Sequence, residues 1–247
     1  MRHIQKPAEP PISISEYLAN QSPVGLGLDY TTFSQTASPQ GGNRGGQLCR
    51  ELTAQQFGLC AYTGAGIDER LGSTEDPHRR LKFQAHNEHL KPQSVCRQEL
   101  LDDGRTPGVD LGDDMNHENI VAALEVSGGA KSVAKADLFG ATHRGNDPLS
   151  ILPTNPRCEQ EIDFDAQGNI GSATQDGKHT IEQLNLNQLT LVGWRKQAIS
   201  VFVDTIRSRA DAELAMDRTT NPTHGILPEY SFAVRRVVQK MLEMSQS

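Results

Sequence analysis

The stretch from residue 86 to residue 94, His-Asn-Glu-His-Leu-Lys-Pro-Gln-Ser, places two imidazoles and a carboxylate within four positions. His86, Glu88 and His89 carry side chains of the types that bind divalent cations such as Zn, Mn or Mg. An imidazole that is not bound to metal titrates near neutrality, where a general base works best. The combination is typical of a metal-assisted hydrolase site, in which one peptide supplies both a ligand and a base.

The elements around this stretch should divide its side chains between two faces. If residues 83–85 lead in as a strand, alternate side chains point the same way, so Glu88 shares a face with His86 and His89 does not. Pro92 lacks the amide donor that a ladder needs, and it restricts the preceding residue to extended geometry. The strand should therefore end about two residues before this proline, with His89 at a bend beside the metal ligands.

The overall composition sets limits on the class of protein. The 247 residues are 36% hydrophobic and 22% charged, which is ordinary for a soluble globular protein of one large domain or two small ones. No apolar run approaches the roughly 20 residues that cross a bilayer, and we see no secretion signal, so we expect a cytoplasmic protein without membrane contact. The net charge of −7 means that nucleic acid would have to be bound through a local basic patch, a metal or a partner.

Composition also divides the chain into three regions. Residues 1–46 are rich in Pro, Gly, Ser and Gln and predict an irregular N-terminal arm with little core of its own, which we expect to contact a partner. Residues 47–175 should form the central core with its insertions. In residues 176–247 apolar side chains twice recur at helical spacing, which predicts a helical C-terminal region that packs on a core or an interface.

Short signals inside the central region predict its elements. Spaced apolar residues after Gln47 predict a short helix that ends at Gly58. Turn-forming residues at 102–116 predict a loop insertion. The run 161–173 predicts a β-hairpin in which Gly168 supplies the turn conformation. Together these signals predict an α+β fold.

Two downstream segments complete a pattern with the first stretch. His89, Asn119 and His143 spell H-N-H in order, and the acid-His pair is followed shortly by a proline. The sequence resembles the HNH endonucleases, whose ββα-metal core is a β-hairpin and a helix folded around one divalent metal ion. The resemblance implies that Glu88 and His143 bind the metal. His86, which strand geometry places on the same face as Glu88, could be an extra ligand or a support for the carboxylate. The resemblance also implies that His89 is the general base and that Asn119 holds the base-bearing loop by hydrogen bonds.

A second resemblance covers nearly the whole chain. Its strings include Gly58-Leu-Cys-Ala-Tyr62, residues 86–94, Leu152-Pro-Thr-Asn-Pro-Arg-Cys-Glu159 and Thr180-Ile-Glu-Gln-Leu-Asn-Leu-Asn187. The sequence is similar to the PtuB family, the HNH endonuclease subunit of Septu-type and retron-associated anti-phage defence systems. The similarity implies a bacterial protein that works with an ABC-type ATPase subunit, PtuA, and in retron versions with a reverse transcriptase and its RNA–DNA product.

The cysteines are candidate ligands for a second metal ion, a structural zinc. They stand at positions 49, 60, 96 and 158, without Cys-x-x-Cys spacing, which fits reduced thiols of a cytosolic protein. Some members of the family carry further cysteines that suggest a structural zinc, and other residues stand near those places here. Cys60 and Cys158 alone cannot complete a four-ligand site, which argues against a structural zinc unless His78 or His86 completes it. Otherwise they are two small buried thiols in a core.

The predicted reaction is hydrolysis of phosphodiester bonds in nucleic acid. His89 would remove a proton from the water that attacks phosphorus, while the metal would stabilise the phosphorane charge and the leaving oxygen. Lys91, Arg144 and Arg157 are candidate phosphate contacts, although such residues are more often simply solvated. Two alternatives remain open. One is a catalytically silent HNH-fold adaptor that docks on the ATPase, and the other is a metal hydrolase that acts on a different substrate.

Overall fold

The structure is a computed structural model that describes residues 1–21, 26–68, 83–126 and 133–244. Its helices and strands are mixed and its sheets are small and antiparallel, in agreement with the predicted α+β class. In chain order the elements are α1 Ile12–Gln21, α2 Tyr30–Gln35, α3 Arg44–Gln55, β1 Phe83–His89, α4 Gln93–Asp102, β2 Ile120–Val126, α5 Gly140–Arg144, α6 Arg157–Glu161, β3 Asp163–Phe164, β4 Ile170–Gly171, α7 Gln175–Gln183, α8 Leu189–Val203, α9 Arg209–Thr220 and α10 Ser231–Met244. Single 3₁₀ turns span His117–Asn119 and Lys135–Asp137.

Strands β1 and β2 form the antiparallel pair that carries the first motif. Their register pairs Glu88 with Val121 and His89 with Ile120. Nearly every residue of β2 is buried, as expected for the continuous apolar run Ile-Val-Ala-Ala-Leu, which has a core on each side. The predicted strand ends at His89, where the approaching Pro92 stops the ladder, so the expected boundary is confirmed.

The first 46 residues are not an irregular arm, and that expectation needs correction, because helices α1 and α2 and the start of α3 lie within them. Ile14, Tyr17 and Phe33 pack with two leucines of α3 against one face of β2, while Met1 and Ile4 enter the larger core. The prolines and glycines between them concealed this pattern, because each short helix contributes only one or two apolar side chains.

Side-chain caps explain why the short helices of this region form. The Asp29 carboxylate accepts a hydrogen bond from the Thr32 amide at 2.9 Å at the start of α2. The Asn43 side chain accepts one from the Gly46 amide at 2.7 Å at the start of α3. Such caps satisfy amide donors that the first helical turn leaves unpaired, and they offset the glycines that follow Arg44.

Several other predicted elements are present, with shifted bounds. Helix α3 begins three residues before Gln47, and Gly58 follows it with a left-handed φ of 80°. The predicted hairpin is the pair β3–β4, with Gly168 at φ 85° in its turn. The two predicted C-terminal stripes correspond to α8 and α10, whereas α7 lies before the first stripe and α9 carries mainly small buried alanines, so neither of these helices was recognised. None of the helices within the described residues has the length and apolar character needed to cross a membrane.

Candidate active site

The end of β1 places the residues of the first motif on its two faces, as the strand period requires. His86 Nε2 lies 3.1 Å from Glu88 Oε2, so these two side chains share a face and interact. Asn87 and His89 point the other way, where Asn87 Nδ2 donates to the hydroxyl of Tyr30 at 2.8 Å. The predicted division of the motif between two faces is therefore confirmed.

His89 is buried and held as a neutral imidazole. Only 6% of the residue is exposed, and its Nε2 lies 2.9 Å from the carbonyl oxygen of Asp114. Because a carbonyl oxygen only accepts, Nε2 carries the proton and Nδ1 keeps the lone pair. Nδ1 lies 3.3 Å from the side-chain amide of Gln93. Burial lowers the pKa of His89, although the Asp114 carbonyl opposes the shift, so the ring is neutral at neutral pH.

Asn119 ties the segment after His89 to the loop that faces it. Its Oδ1 accepts from the Lys91 amide at 2.6 Å, and its Nδ2 donates to the Lys91 carbonyl at 3.1 Å and to the Asp113 carbonyl at 3.0 Å. Its own carbonyl accepts from the Leu90 amide at 2.8 Å. One side chain thus binds both the amide and the carbonyl group of Lys91 and also the neighbouring loop. The part of Asn119 in catalysis stays a prediction.

Arg144 is buried at the same end of β1 and donates hydrogen bonds to several groups there. Its side chain is fully buried and its guanidinium donates to Glu88 Oε1 at 2.7 Å. The same group also donates to the Tyr62 hydroxyl at 2.8 Å and to the carbonyl oxygens of His89 at 3.1 Å, Leu90 at 2.6 Å and Asp147 at 2.8 Å. The prediction that Arg144 contacts a phosphate needs correction, because protein acceptors surround its donors and no solvent reaches it. Its position instead fixes the Glu88 carboxylate.

The other two candidate phosphate contacts are paired with carboxylates. Lys91 Nζ lies 2.6 Å from Glu99 Oε2 and also contacts Asp113. Partial burial would lower the pKa of Lys91, but these two carboxylates outweigh it and raise the pKa above its ordinary value. Arg157 Nε donates to Glu161 at 2.6 Å on the protein surface. A phosphate would have to displace these partners.

His143 lies on α5, which packs on β2. Its Nδ1 lies 2.8 Å from the Gln183 carbonyl, so Nδ1 is the donor and Nε2 is left with the lone pair that a metal ion could take. His86 Nδ1 is also buried and has no hydrogen-bond partner among the described residues. Two imidazoles and the Glu88 carboxylate are a suitable donor set for Zn or Mn.

The side chains brought together at β1 do not yet form a complete coordination sphere. His86 and Glu88 are in contact, but in the part of the chain that the structure describes no three His, Cys, Asp or Glu side chains lie close enough to hold one metal ion. His143 is therefore placed on the neighbouring helix without joining the pair. Metal binding by this set would require the Glu88 carboxylate to exchange one of its present partners.

The two cysteines considered for a structural zinc are buried thiols of the main core. Cys60 Sγ accepts a hydrogen bond from the Leu124 amide at 3.2 Å. Burial raises the pKa of Cys158 to about 11, so its thiol stays protonated at neutral pH. His78, proposed as a possible further ligand, lies outside the described residues.

Tyr30 is the residue of this site that sequence reasoning missed. Its ring meets the His89 ring edge-on with centroids 4.4 Å apart, and its amide donates to Asp114 Oδ2 at 2.9 Å. Tyr30 therefore contacts both the imidazole and the residue whose carbonyl fixes the tautomer. No local signal marks it, because its only sequence context is the Asp29 cap of a short helix in the N-terminal arm.

A cleft of about 560 Å³ lies beside the segment that follows His89 and is large enough for a small organic ligand or part of a polymer, although Glu88, His89 and His143 do not line it. Its walls include Lys91 and Asn119 together with Pro92, Asn146 and Leu149. No protein-family model matches this sequence, and none of the curated proteins matches it significantly.

Proposed function

We propose that this protein is a metal-dependent endonuclease that hydrolyses phosphodiester bonds of nucleic acid. The observation that carries the proposal is the neutral, oriented imidazole of His89, which follows the Glu88 carboxylate on the opposite face of one strand, with a short helix bearing His143 after the strand pair. Metal-assisted hydrolysis needs a general base and a set of metal ligands, and the end of β1 supplies candidates for both. The order of the motif residues along the chain adds the HNH resemblance to this support.

In the proposed reaction, His89 accepts a proton from the attacking water at Nδ1. Gln93 occupies the hydrogen-bond position of that nitrogen and would yield it to the water. The Asp114 carbonyl accepts from Nε2 and so stabilises the imidazolium that forms. Because burial keeps the pKa of His89 low, the imidazole is available as a base at neutral pH.

Glu88 and His143 would hold the divalent cation, with His86 as a third ligand or as a hydrogen-bond partner of the carboxylate. When bound, the cation supplies charge stabilisation for the phosphorane and the leaving oxygen. Arg144 keeps one oxygen of Glu88 fixed and leaves the other, which now faces His86, as the one to bind metal.

The biological setting rests on the resemblance to the PtuB family. We propose that the chain is the effector subunit of a bacterial anti-phage complex and works in the cytoplasm with an ABC-type ATPase. Retron versions of such systems would add a reverse transcriptase and its RNA–DNA product. The strings that carry this similarity run through almost the whole chain, including the residues of the candidate site.

The experiment that tests the activity is cleavage of labelled DNA and RNA by the purified chain with Mg²⁺, Mn²⁺ or Zn²⁺, alone and with the ATPase subunit. We expect His89→Ala to lower the rate by about 10²- to 10⁴-fold because the base is lost. His117→Ala removes a half-buried histidine of the 3₁₀ turn before β2, whose ring contacts the Pro7 carbonyl, and should cleave like the wild type. A His89→Ala protein that cuts at the wild-type rate would exclude His89 as the base.

The catalytically silent adaptor is the second candidate, and one observation favours it. Both oxygens of Glu88 already have partners, one in Arg144 and one in His86, so the carboxylate is satisfied without a metal. A Mn²⁺ titration of the wild type and of the Glu88→Ala/His143→Ala double variant separates the two functions. Wild-type binding that the double variant loses supports the nuclease, and binding absent from both supports the adaptor.

A further inference from the structure

Basic residues are concentrated in a cleft between the N-terminal segment and helix α10. The cleft has a volume of about 530 Å³ and shares no lining residue with the cleft beside Asn119. Its charged lining residues are Arg2, Lys6, Glu159 and Arg235. Three of these four are basic, although the chain as a whole has a net charge of −7. The cleft is therefore a local exception to the acidic character of the protein.

The single carboxylate of this cleft is already used. Glu159 Oε2 accepts from Arg235 at 2.9 Å, and Glu159 Oε1 accepts from the His3 amide at 2.9 Å. Lys6 Nζ donates to the Ile120 carbonyl, which carries no formal charge. The negative charge of Glu159 is thus paired mainly with the positive charge of Arg235.

Among the described residues no carboxylate forms a hydrogen bond with Arg2, although the charge of Glu159 opposes the lowering of its pKa. Its guanidinium lies 4.6 Å from the centroid of the Phe57 ring, a contact that orients the plane of the group. Its Nη1 is shielded from solvent and has no hydrogen-bond acceptor among the described residues. A buried guanidinium donor without an acceptor costs free energy. Because Arg2 as a whole is only partly buried and lines the cleft, an anion there would lie beside its positive charge.

The electrostatics of the neighbouring cations agree with this geometry. Burial lowers the pKa of Arg2, and the positive charge of Arg235 lowers it further. Burial also lowers the pKa of Lys6 to about 8, in spite of the nearby Glu118 carboxylate. Each shift means that the surroundings disfavour the positive charges that they hold. An added negative charge would reverse this effect.

We propose that this cleft binds a phosphate group, which is held by the guanidinium groups of Arg2 and Arg235. Arginine presents a planar set of donors that matches phosphate oxygens in pairs. The group could be free phosphate or a phosphate of a nucleic-acid strand, and both present the same oxygens to the cleft. The site does not depend on the proposed nuclease activity. If the chain is also a nuclease, the cleft supplies the local basic patch that an acidic protein needs to bind its substrate.

The test uses the full-length chain in EDTA, so that no metal-dependent cutting takes place. Pyrophosphate is titrated by calorimetry, and a fluorescein-labelled single-stranded oligonucleotide is titrated by fluorescence anisotropy. We expect saturable binding of pyrophosphate that Arg2→Gln weakens by about tenfold or more, because charge-assisted hydrogen bonds are lost. The matched control is Arg209→Gln, which removes an equal charge from an exposed arginine paired with Glu213 and should bind like the wild type.

Glu159→Gln tests the same site in the opposite direction. It removes the competing negative charge and keeps an oxygen that can accept from the His3 amide, so we expect pyrophosphate to bind several-fold more tightly. This variant keeps the proposal testable if Arg2→Gln fails to fold. The proposal is overturned if the wild type binds neither probe saturably, or if Arg2→Gln and Arg235→Gln both fold and bind like the wild type.

The two probes distinguish the sources of the phosphate. An oligonucleotide that binds much more tightly than pyrophosphate, and loses this advantage in Arg2→Gln, identifies a nucleic-acid strand. Equal affinities identify phosphate itself, which also supports the site. Because binding is measured in EDTA, loss of binding bears on the cleft alone. Absence of cleavage in the presence of metal, with binding intact, bears on the proposed nuclease alone.

Discussion

The two faces of strand β1 surround neighbouring side chains with different environments. On one face the Glu88 carboxylate is paired with the buried guanidinium of Arg144 and contacts the His86 imidazole. On the other face the His89 imidazole is kept neutral by burial, between the ring of Tyr30 and the carbonyl of Asp114. A single step along the chain therefore crosses from an ionic environment to a mainly neutral one.

This difference teaches how one short peptide can serve two chemical tasks. A carboxylate binds a metal ion in its ionised form, and a histidine acts as a general base in its neutral form. The strand period sends Glu88 and His89 to different faces, and burial on its face lowers the pKa of His89. The comparison predicts that damage to one face should leave the character of the other largely unchanged.

The largest expected effect is on the ionic face. Arg144→Met removes the guanidinium and leaves the Glu88 carboxylate partly buried without its cation, which should destabilise the protein by about 3–5 kcal/mol. Urea unfolding followed by circular dichroism measures the change. Arg157→Met, which removes a half-exposed surface arginine, should cost less than about 1 kcal/mol.

A double variant then isolates the cause of that loss. Adding Glu88→Gln to Arg144→Met removes the uncompensated charge, so part of the lost stability should return. If the double variant is as unstable as the sum of the two single variants, the ion pair is not what links Arg144 to the end of β1. The peptide carbonyls that the guanidinium also contacts would then account for its role.

A smaller effect is expected on the neutral face. Tyr30→Leu removes the aromatic edge and admits water to His89, so the pKa of this histidine should rise towards its ordinary value near 6.5. The loss of the ring contact and of the hydrogen bond from Asn87 should cost about 2 kcal/mol of stability. Tyr30→Phe keeps the ring and is the matched control. NMR titration of the His89 ring in the wild type, Tyr30→Leu and Tyr30→Phe measures this pKa. If the pKa of His89 is unchanged in Tyr30→Leu, the assigned role of Tyr30 is contradicted.

The smallest effect is a dependence of stability on pH. The pKa of His89 is lowered in the folded state, so the unfolded chain binds more protons as the pH falls through the ordinary histidine value of about 6.5. The contribution of His89 is therefore fully present above that pH and decreases as the pH falls towards the lowered, folded-state pKa. Urea unfolding should be measured for the wild type and for His89→Gln between about pH 7.5 and 5.5. The free energy of unfolding should decrease more steeply with falling pH in the wild type. Parallel curves would mean that His89 titrates normally.

Some parts of the site followed from local sequence. The alternation of His86, Glu88 and His89 and the end of the strand before Pro92 depend only on strand geometry and on the missing amide of proline. What local sequence could not supply was the partner of each of these residues.

The fold was predictable to a similar extent. The hairpin at Gly168 and the C-terminal helices carry turn residues and apolar spacing that specify them locally. Helix α4 and the core contributed by the first 46 residues were not recognised. In both cases one or two buried side chains per helix decide the structure, and their partners are distant in sequence.

The sequence by itself determined that a carboxylate and an imidazole lie on opposite faces of one strand, because the backbone period allows no other arrangement. Only the tertiary structure decided the burial that lowers the pKa of His89, the burial of Arg144 beside Glu88 and the place of Tyr30 beside His89. Electrostatic environment depends on burial and on charges brought near by folding, and neither is encoded by spacing along the chain. For the same reason Arg144, which in the sequence resembles any arginine after a histidine, is a structural clamp, whereas Arg2 lines an open cleft.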